Sequence, residues 1–455
     1  MDGPSAATYL GLDLSTQQLK AVVVDDSLAV LHQTSVQFDN DLPEFRTYGG
    51  VIQKVEAPHV VVVPTLMWVK ALDLILDKLR VCGVDFSKVS AVSGCAQQHG
   101  TVYWGKGSRN RLQHLDPIKF LHEQFATSFS VTHSPVWLDS STVEQCDVLE
   151  EIVGGPQKLA EITGSRAYHR FSGPQIAKIA RTKPEAYCNT EVYPQTRTNS
   201  WLPSKKTRTA TDATASLGTS DTLFLWLNEP RTVTDGHVLC NPLDDQVYMA
   251  LLCFKNGSLT RERILNEAAQ GSWQIFNELL ESTPRGNFGN FALYFDMLEI
   301  LPSILGDYRY NKANDEISRY SSKEVEVRAL IEGQFVAKRA HAEDLGFVVG
   351  PSTRIIATGG ASVNKAILQV LSDVFNSPVY TMEAANSAMM GAAYQAKHGL
   401  LRATCSFDEI TRCLPELTLM CQPYDDAESI YKPMTVRYRK IVAQILKKKS
   451  ERKHV

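Results

Sequence analysis

Leu10-Gly-Leu-Asp-Leu-Ser-Thr-Gln-Gln-Leu-Lys-Ala-Val-Val-Val-Asp25 is the stretch on which the reading of the fold turns. Two apolar, β-prone runs flank a short polar link carrying Gly11, Asp13, Ser15 and Thr16, the pattern of a β-hairpin. A hairpin tip with hydroxyls and one carboxylate offers N–H and O–H donors to phosphate oxygens, and an acid to hydrated Mg²⁺. An edge hairpin with a polar turn would look the same on this stretch alone.

A second copy separates the two readings. Ser216-Leu-Gly-Thr-Ser-Asp-Thr-Leu-Phe-Leu-Trp226 again sets Gly-Thr-Ser before an apolar β-run, about halfway along the chain. One hairpin per half predicts two similar lobes closing on one nucleotide. Further on, Arg354 to Phe375 predicts a strand, a Gly359-Gly360 turn and an amphipathic helix. Its glycines let the backbone approach a flat ligand, and a helix N-terminus favours an anion nearby. In this order the three resemble the phosphate-1, phosphate-2 and adenosine motifs of the actin, Hsp70 and sugar-kinase superfamily. The fold class expected is α/β, with two ribonuclease-H-like lobes, a cleft for nucleotide and sugar between them, and a first lobe that is incomplete.

Bulk properties narrow the classes. A chain of 455 residues with 44% apolar and 21% charged residues has ample length for real cores. A net charge of -3 gives no pull toward nucleic acid or an anionic membrane. The nine cysteines are scattered without a Cys-x-x-Cys pair, which favours reduced thiols and a cytoplasmic setting over a disulfide or zinc framework. The N-terminus shows no basic-then-apolar signal pattern, and no metal-ligand cluster stands out. Val60 to Leu76, the most apolar run, is interrupted by Pro64, Lys70 and Asp73 and does not suit a bilayer.

Along the first half, Val60 to Val63 reads as a strand, Pro64 to Val81 as a helix stopped by Gly83, and Val89 to Val92 as a buried strand, a βαβ rhythm. The turn that follows, Ala96-Gln-Gln-His-Gly100, supplies donors and acceptors suited to hydroxyls, although His99 could equally cap its own loop. Trp137 could stack on a sugar or sit in the core. Ser141-x-x-Glu144 reads as a capping box for a helix ending at Gly154-Gly155. Arg170, in a Gly-bounded loop before a helix from Gln175 to Thr182, could hold a sugar hydroxyl or make an ion pair.

In the second half, Leu259 to Leu280 reads as one helix carrying Trp273, which could stack on adenine or pack inward. Phe288, Phe291, Tyr294 and Phe295 read as one aromatic cluster, and Glu324 to Leu345 as a long helix packed closely at Gly333. Asn386 to His398 reads as a small-residue helix of the same lobe.

Asp-Leu-Pro-Glu-Phe-Arg (41–46), Ala-Gln-Gln-His-Gly (96–100), Thr-Gly-Ser-Arg-Ala-Tyr (163–168), Ser-Leu-Gly-Thr-Ser-Asp-Thr (216–222), Tyr-Met-Ala-Leu-Leu-Cys-Phe-Lys-Asn-Gly (248–257) and Arg-Ala-Leu-Ile-Glu-Gly-Gln-Phe (328–335) resemble the FGGY carbohydrate kinases, and among them the xylulose kinases. The likeness implies a first lobe over residues 1–187 and a nucleotide-binding lobe over 212–455. It implies ATP, Mg²⁺ and D-xylulose as ligands, with D-xylulose 5-phosphate as product and no nucleic acid or membrane partner, in a monomer or homodimer. Carried over residue by residue, Asp13 would serve Mg²⁺, and Ser15, Thr16 and Gln17 would lie near the transferred phosphate. His99 and Arg170 would meet the ketose. Gly218, Thr219 and Ser220 would cradle phosphates, and Gly359, Gly360 and Asn364 would face adenosine, with Trp273 beside the nucleotide.

Residues 188–211 depart from that pattern. Cys188 to Thr211 has almost no apolar periodicity and is rich in Thr, Pro, Lys and Arg, the composition of a linker. The family has a long folded stretch here, containing the aspartate that takes the proton from the sugar hydroxyl and a loop that holds the ketose. Neither motif is found, and Asp212 belongs to the strand entering the phosphate-2 turn. The expectation is a chain of xylulose kinase ancestry with weak or absent turnover, or a nucleotide-binding pseudokinase. An abrupt junction of this kind is what a splice form or gene-model error leaves. An uncovered sheet edge in the first lobe should follow.

Overall fold

The computed structural model describes residues 7–193, 212–218, 220–241, 246–382, 387–414 and 416–453. They cluster into two units. The first opens with β1 (Thr8–Leu14), β2 (Gln18–Val24) and β3 (Val30–Gln37). The expected hairpin is present: Leu14 faces Leu19 across an antiparallel ladder, and the Ser15 N–H closes the turn on the Gln18 carbonyl at 2.9 Å.

A strand β4 (Ala57–Pro64) then feeds a helix α1 (Thr65–Val81), which packs against β2 and β3. Met67, Ala71, Ile75 and Leu79 fall on one helical face and are buried with Leu10, Val23 and Phe38 in the core of this unit. The next strand, β5 (Val89–Ala96), lies parallel to β1. The βαβ reading needs correcting at both ends. β4 belongs to a separate three-stranded sheet with Ile52–Lys54 and His133–Pro135, so β5 is the neighbour of β1 instead. Nor is β5 a buried strand. Ser90, Val92 and Gly94 alternate onto a face open to solvent, with Val92 58% exposed, and among the described residues nothing pairs with the outer edge of β5.

Helix α2 (Val143–Val153) ends at Gly154 in the left-handed conformation, as expected, but its capping box does not form. The Ser141 N–H and hydroxyl both turn to Asp139 Oδ1, at 3.0 and 2.6 Å, and Glu144 pairs with Arg181 on helix α3 (Ser172–Thr182).

The second unit repeats the pattern and extends it. Strands β6 (Asp212–Leu217) and β7 (Asp221–Leu227) form the second expected hairpin, followed by β8 (His237–Cys240) and β9 (Tyr248–Phe254). The single helix expected over Leu259–Leu280 is two, α4 (Ser258–Ala269) and α5 (Trp273–Glu281). Gln270 and Gly271 between them take positive φ of 54° and 78°, which stops the first helix, and Ser272 caps the second. Strand β10 (Phe291–Phe295) is buried throughout, whereas Phe288, expected in the same cluster, is 63% exposed on its turn. The long helix α6 (Lys323–Asp344) packs on β10 at Gly333, where an added Cβ would lie 2.0 Å from the Ala292 carbonyl oxygen. Strand β11 (Arg354–Thr358), helix α7 (Lys365–Phe375) and strand β12 (Val379–Thr381) complete the sheet with β13 (Thr418–Cys421), before a last helix over Ala427–Lys453.

Strand orders make the repeat explicit. The first sheet runs β3-β2-β1-β5 and the second β8-β9-β7-β6-β11-β12-β13. In each, a central strand pairs antiparallel with its hairpin partner on one side and parallel with a later strand on the other. The second sheet adds β12, parallel to β11, where the first stops at β5.

Ser387–Leu401, read from its small residues as a helix of the second lobe, packs instead on β1 and β5 of the first unit. The close approach explains the composition. A Cβ at Gly11 would fall 2.3 Å from the Met389 carbonyl oxygen, so glycine in the strand and alanines in the helix let the two backbones meet. Residue 386 lies outside the described residues.

Two outcomes follow for stability. Gly333→Val should lower stability by about 1–3 kcal/mol or more, read from urea midpoints, because the Ala292 backbone has nowhere to move. Val92→Lys should leave stability within about 0.5 kcal/mol while reducing light scattering on concentration, since a charge on an open strand edge opposes edge pairing.

Candidate active site

In the first unit the hairpin tip and the turn after β5 come together. The Gln97 N–H donates to the Leu14 carbonyl at 2.7 Å. The Thr16 hydroxyl donates to Gln97 Oε1 at 3.4 Å and accepts from the Trp137 indole N–H at 3.0 Å. Trp137 is therefore a half-buried side chain tied to the hairpin tip. Ser15 and Thr16 are half-buried, and Gln17 is exposed.

Asp13 ends β1 beside β5. Burial raises its carboxyl above the usual carboxylate range, opposed by the Cys95 thiol, 3.5 Å from Oδ1, and by the Lys20 ammonium. A partly desolvated carboxylate gains from a cation. A single carboxylate suits a Mg²⁺ that arrives with phosphate rather than a resident metal held by protein alone. Among the described residues no group of three or more acidic, His or Cys side chains could hold an ion.

His99 sits in a left-handed turn, φ 66°, buried and stacked on Phe171 with ring centroids 4.9 Å apart. Burial, reinforced by the Arg170 charge, lowers its pKa to about 3, so the imidazole is neutral at ordinary pH. Arg170 is itself buried and lies over the Tyr168 ring at 4.8 Å. The loop 168–171 and the turn after β5 thus place His99 and Arg170 together, as the sequence suggested, with Phe171 as a member the sequence reading missed. Its position directly after Arg170 was the available signal.

Asp139 is the buried carboxylate beneath this loop. Its oxygens accept from the Val61 N–H at 3.0 Å, the Ser141 N–H and hydroxyl, and the Gln175 amide at 2.7 Å. Through these bonds it braces β4 and α3.

In the second unit the phosphate-2 and adenosine turns adjoin. Gly359 has φ 84°, and a Cβ there would lie 2.6 Å from the Leu217 carbonyl oxygen, just before Gly218. Only glycine suits both the backbone and the space. Gly218 and Ser220 are half-buried at the tip of the hairpin, and Thr219 lies outside the described residues. Asn364 caps α7 by accepting from the Ile367 N–H, and its amide donates to Asn277 Oδ1 on α5 at 2.9 Å. Trp273, one turn earlier on α5, is 40% exposed and edge-on to Phe276. Through Asn277 and Asn364, α5 is tied to the start of α7, which follows the Gly359-Gly360 turn. Asn277, absent from the sequence reading, is the link that fixes α5 there.

Comparison with known proteins agrees with this arrangement. A profile described as the FGGY family of carbohydrate kinases, C-terminal domain, matches residues 213–400. The xylulose kinase of Rattus norvegicus is 43% identical over 523 residues, covering 96% of this chain and 97% of the relative. That span exceeds the 455 residues here, so the relative has residues for which this chain has no counterpart. Xylulose kinase 2 of Arabidopsis thaliana is 39% identical, covering 88% of each chain. Among solved structures, the xylulose kinase from Rhodospirillum rubrum shares the fold with a TM-score of 0.74 at 13% identity, covering 96% of this chain and 99% of its own. Plasmodium falciparum glycerol kinase with ADP gives 0.71 at 15% identity, covering 98% and 99%. This chain belongs to the FGGY family of carbohydrate kinases, in which its relatives are xylulose kinases.

Proposed function

We propose that this chain binds MgATP and D-xylulose and transfers the γ-phosphoryl group to give ADP and D-xylulose 5-phosphate, at a turnover held low by the lack of a positioned carboxylate base. The observation that carries the reading is the first sheet, in which, among the described residues, no strand follows β5 where the second continues to β12. We assign the residues that the rat relative has and this chain lacks to the junction at 188–211, between lobes of residues 1–187 and 212–455.

In this reading Gly218, Thr219 and Ser220 donate to the phosphate chain, and Gly359, Gly360, Asn364 and Trp273 hold the adenosine. Ser15, Thr16 and Gln17 face the transferred group, and Asp13 receives the Mg²⁺ that neutralises phosphate charge. Neutral His99 and the Arg170 fork orient the ketose. The sugar hydroxyl oxygen bonds to the γ-phosphorus as the bond to the bridging oxygen of ADP breaks, and the hydroxyl proton must leave. A positioned base for that proton is worth about 10² to 10⁴ in rate. In this reading Asp139 is spent on bracing β4 and α3. A cytoplasmic monomer or homodimer is in keeping with nine free cysteines and with the absence, among the described residues, of any helix long and apolar enough to cross a membrane.

ADP release by the purified 455-residue chain with MgATP, with and without D-xylulose, tests the proposal beside a version carrying a family-type middle segment. The expected result is xylulose-dependent release about 10² to 10⁴ slower than from the completed version. Release at equal rates would overturn the claim of a missing base. Nucleotide binding without any xylulose dependence would mark the chain as a nucleotide-binding pseudokinase instead. The affinity for D-xylulose should be flat from about pH 5 to pH 8, because His99, held at about 3, stays neutral throughout. A change in affinity centred near the ordinary imidazole pKa would exclude His99 from that role.

A further inference from the structure

His99 and Arg170 each rest on an aromatic ring, and the two rings rest on each other. The His99 imidazole stacks on Phe171 with centroids 4.9 Å apart and planes inclined by 26°. The Arg170 guanidinium lies 4.8 Å from the centre of the Tyr168 ring. Tyr168 and Phe171 are in turn 5.4 Å apart and inclined by 49°. His99 and Arg170 are buried, and the two aromatic residues are half-buried.

The backbone fixes both ends of this row. The Phe171 N–H closes a turn on the Tyr168 carbonyl at 2.9 Å, and the Phe171 carbonyl accepts the Gln175 N–H at 3.2 Å as α3 begins. The His169 carbonyl between them accepts from the Thr142 hydroxyl at 2.6 Å and from the Gln175 amide at 3.0 Å. On the other side, the Thr101 and Ser172 hydroxyls share a hydrogen bond of 2.8 Å, which joins the turn holding His99 to the first residue of α3. His99 itself takes φ 66°, a left-handed backbone that costs a non-glycine residue energy and persists where its surroundings enforce it. These ties act on the backbone, and the Phe171 ring acts on the imidazole itself.

Orientation matters at this position because the two polar groups differ. Arg170 offers donors alone, whereas a neutral imidazole offers one donor and one acceptor. Neutrality follows from burial, with the Arg170 charge acting in the same direction. A protonated imidazole would lose its acceptor and stand against that like charge. We propose that Phe171 is a positioning residue for the ketose: its ring covers one face of the His99 imidazole, fixing the imidazole's orientation and keeping it from water, while Tyr168 seats the Arg170 guanidinium. The inference rests on the reading of His99 and Arg170 as the ketose contacts, and adds to it what sets their geometry.

The test is calorimetric titration of the full chain with D-xylulose, and separately with ADP, at pH 8 and at pH 5. The unmodified chain should bind D-xylulose equally at both. An aromatic pair is worth about twofold to twelvefold in an equilibrium constant, so Phe171→Ala should weaken D-xylulose by about threefold to tenfold at pH 8. It should lose about a further threefold or more at pH 5, where the uncovered imidazole, near its ordinary pKa of about 6.5, takes a proton. ADP should stay within about twofold of the unmodified chain at each pH, which also reports that the variant is folded. Phe171→Tyr, which keeps the ring, should restore both the affinity and its independence of pH. Should Phe171→Ala fail to fold, Phe171→Leu keeps apolar bulk without a ring face and should weaken D-xylulose about threefold at pH 8 with ADP unchanged. The proposal falls if Phe171→Ala, or Phe171→Leu in its place, binds D-xylulose as the unmodified chain does. It falls equally if the loss from Phe171→Ala is the same at both pH values, if ADP weakens alike, or if Phe171→Tyr does not restore binding. If the unmodified chain does not bind D-xylulose, the reading of His99 and Arg170 as ketose contacts fails first, and the proposal with it.

Discussion

Parallel pairing of a hairpin's first strand with a strand from much later in the chain is the constraint on which this molecule depends. β1 pairs with β5, and β6 with β11, and in each case the hairpin turn is brought beside the turn that follows the parallel partner. Such pairing has to be closed over a long loop of chain, so it must be repaid by burial on the faces of the sheet. In the second unit it is repaid on both sides of β11. In the first unit β5 is paired on one side only among the described residues, and the helix Ser387–Leu401 covers one face.

The two sheets thereby serve as internal references for each other. The same order and the same directions recur, which gives the repeated Gly-Thr-Ser and Asp-Leu-Ser-Thr hairpins a common structural meaning. The difference between the sheets locates what the first unit lacks, at the edge where β12 has no counterpart. Among the described residues the first sheet has four strands and the second seven.

Charge is handled differently in the two units. In the first, a desolvated Asp13 and a neutral His99 stand near the expected ligand contacts, and the buried Asp139 is spent on bracing. In the second, a carboxylate held between a guanidinium and an ammonium underlies a turn built from glycine and hydroxyl residues. Both arrangements fix the backbone packed against them by hydrogen bonds.

The sequence by itself determined the two hairpins, the Gly359-Gly360 turn and the helix end at Gly154. These are local: turn chemistry and alternation of apolar residues are written within about ten residues. The Gln270-Gly271 break was equally local, but the apolar period continued across it and hid it. Tertiary structure alone decided that β4 leaves the sheet of β1, that Val92 is exposed, that the alanine-rich helix Ser387–Leu401 returns to the first unit, and that Arg261, Asp221 and Lys338 meet. Each of those depends on contacts between residues far apart in the chain, and neither period nor composition encodes the partner of a long-range contact.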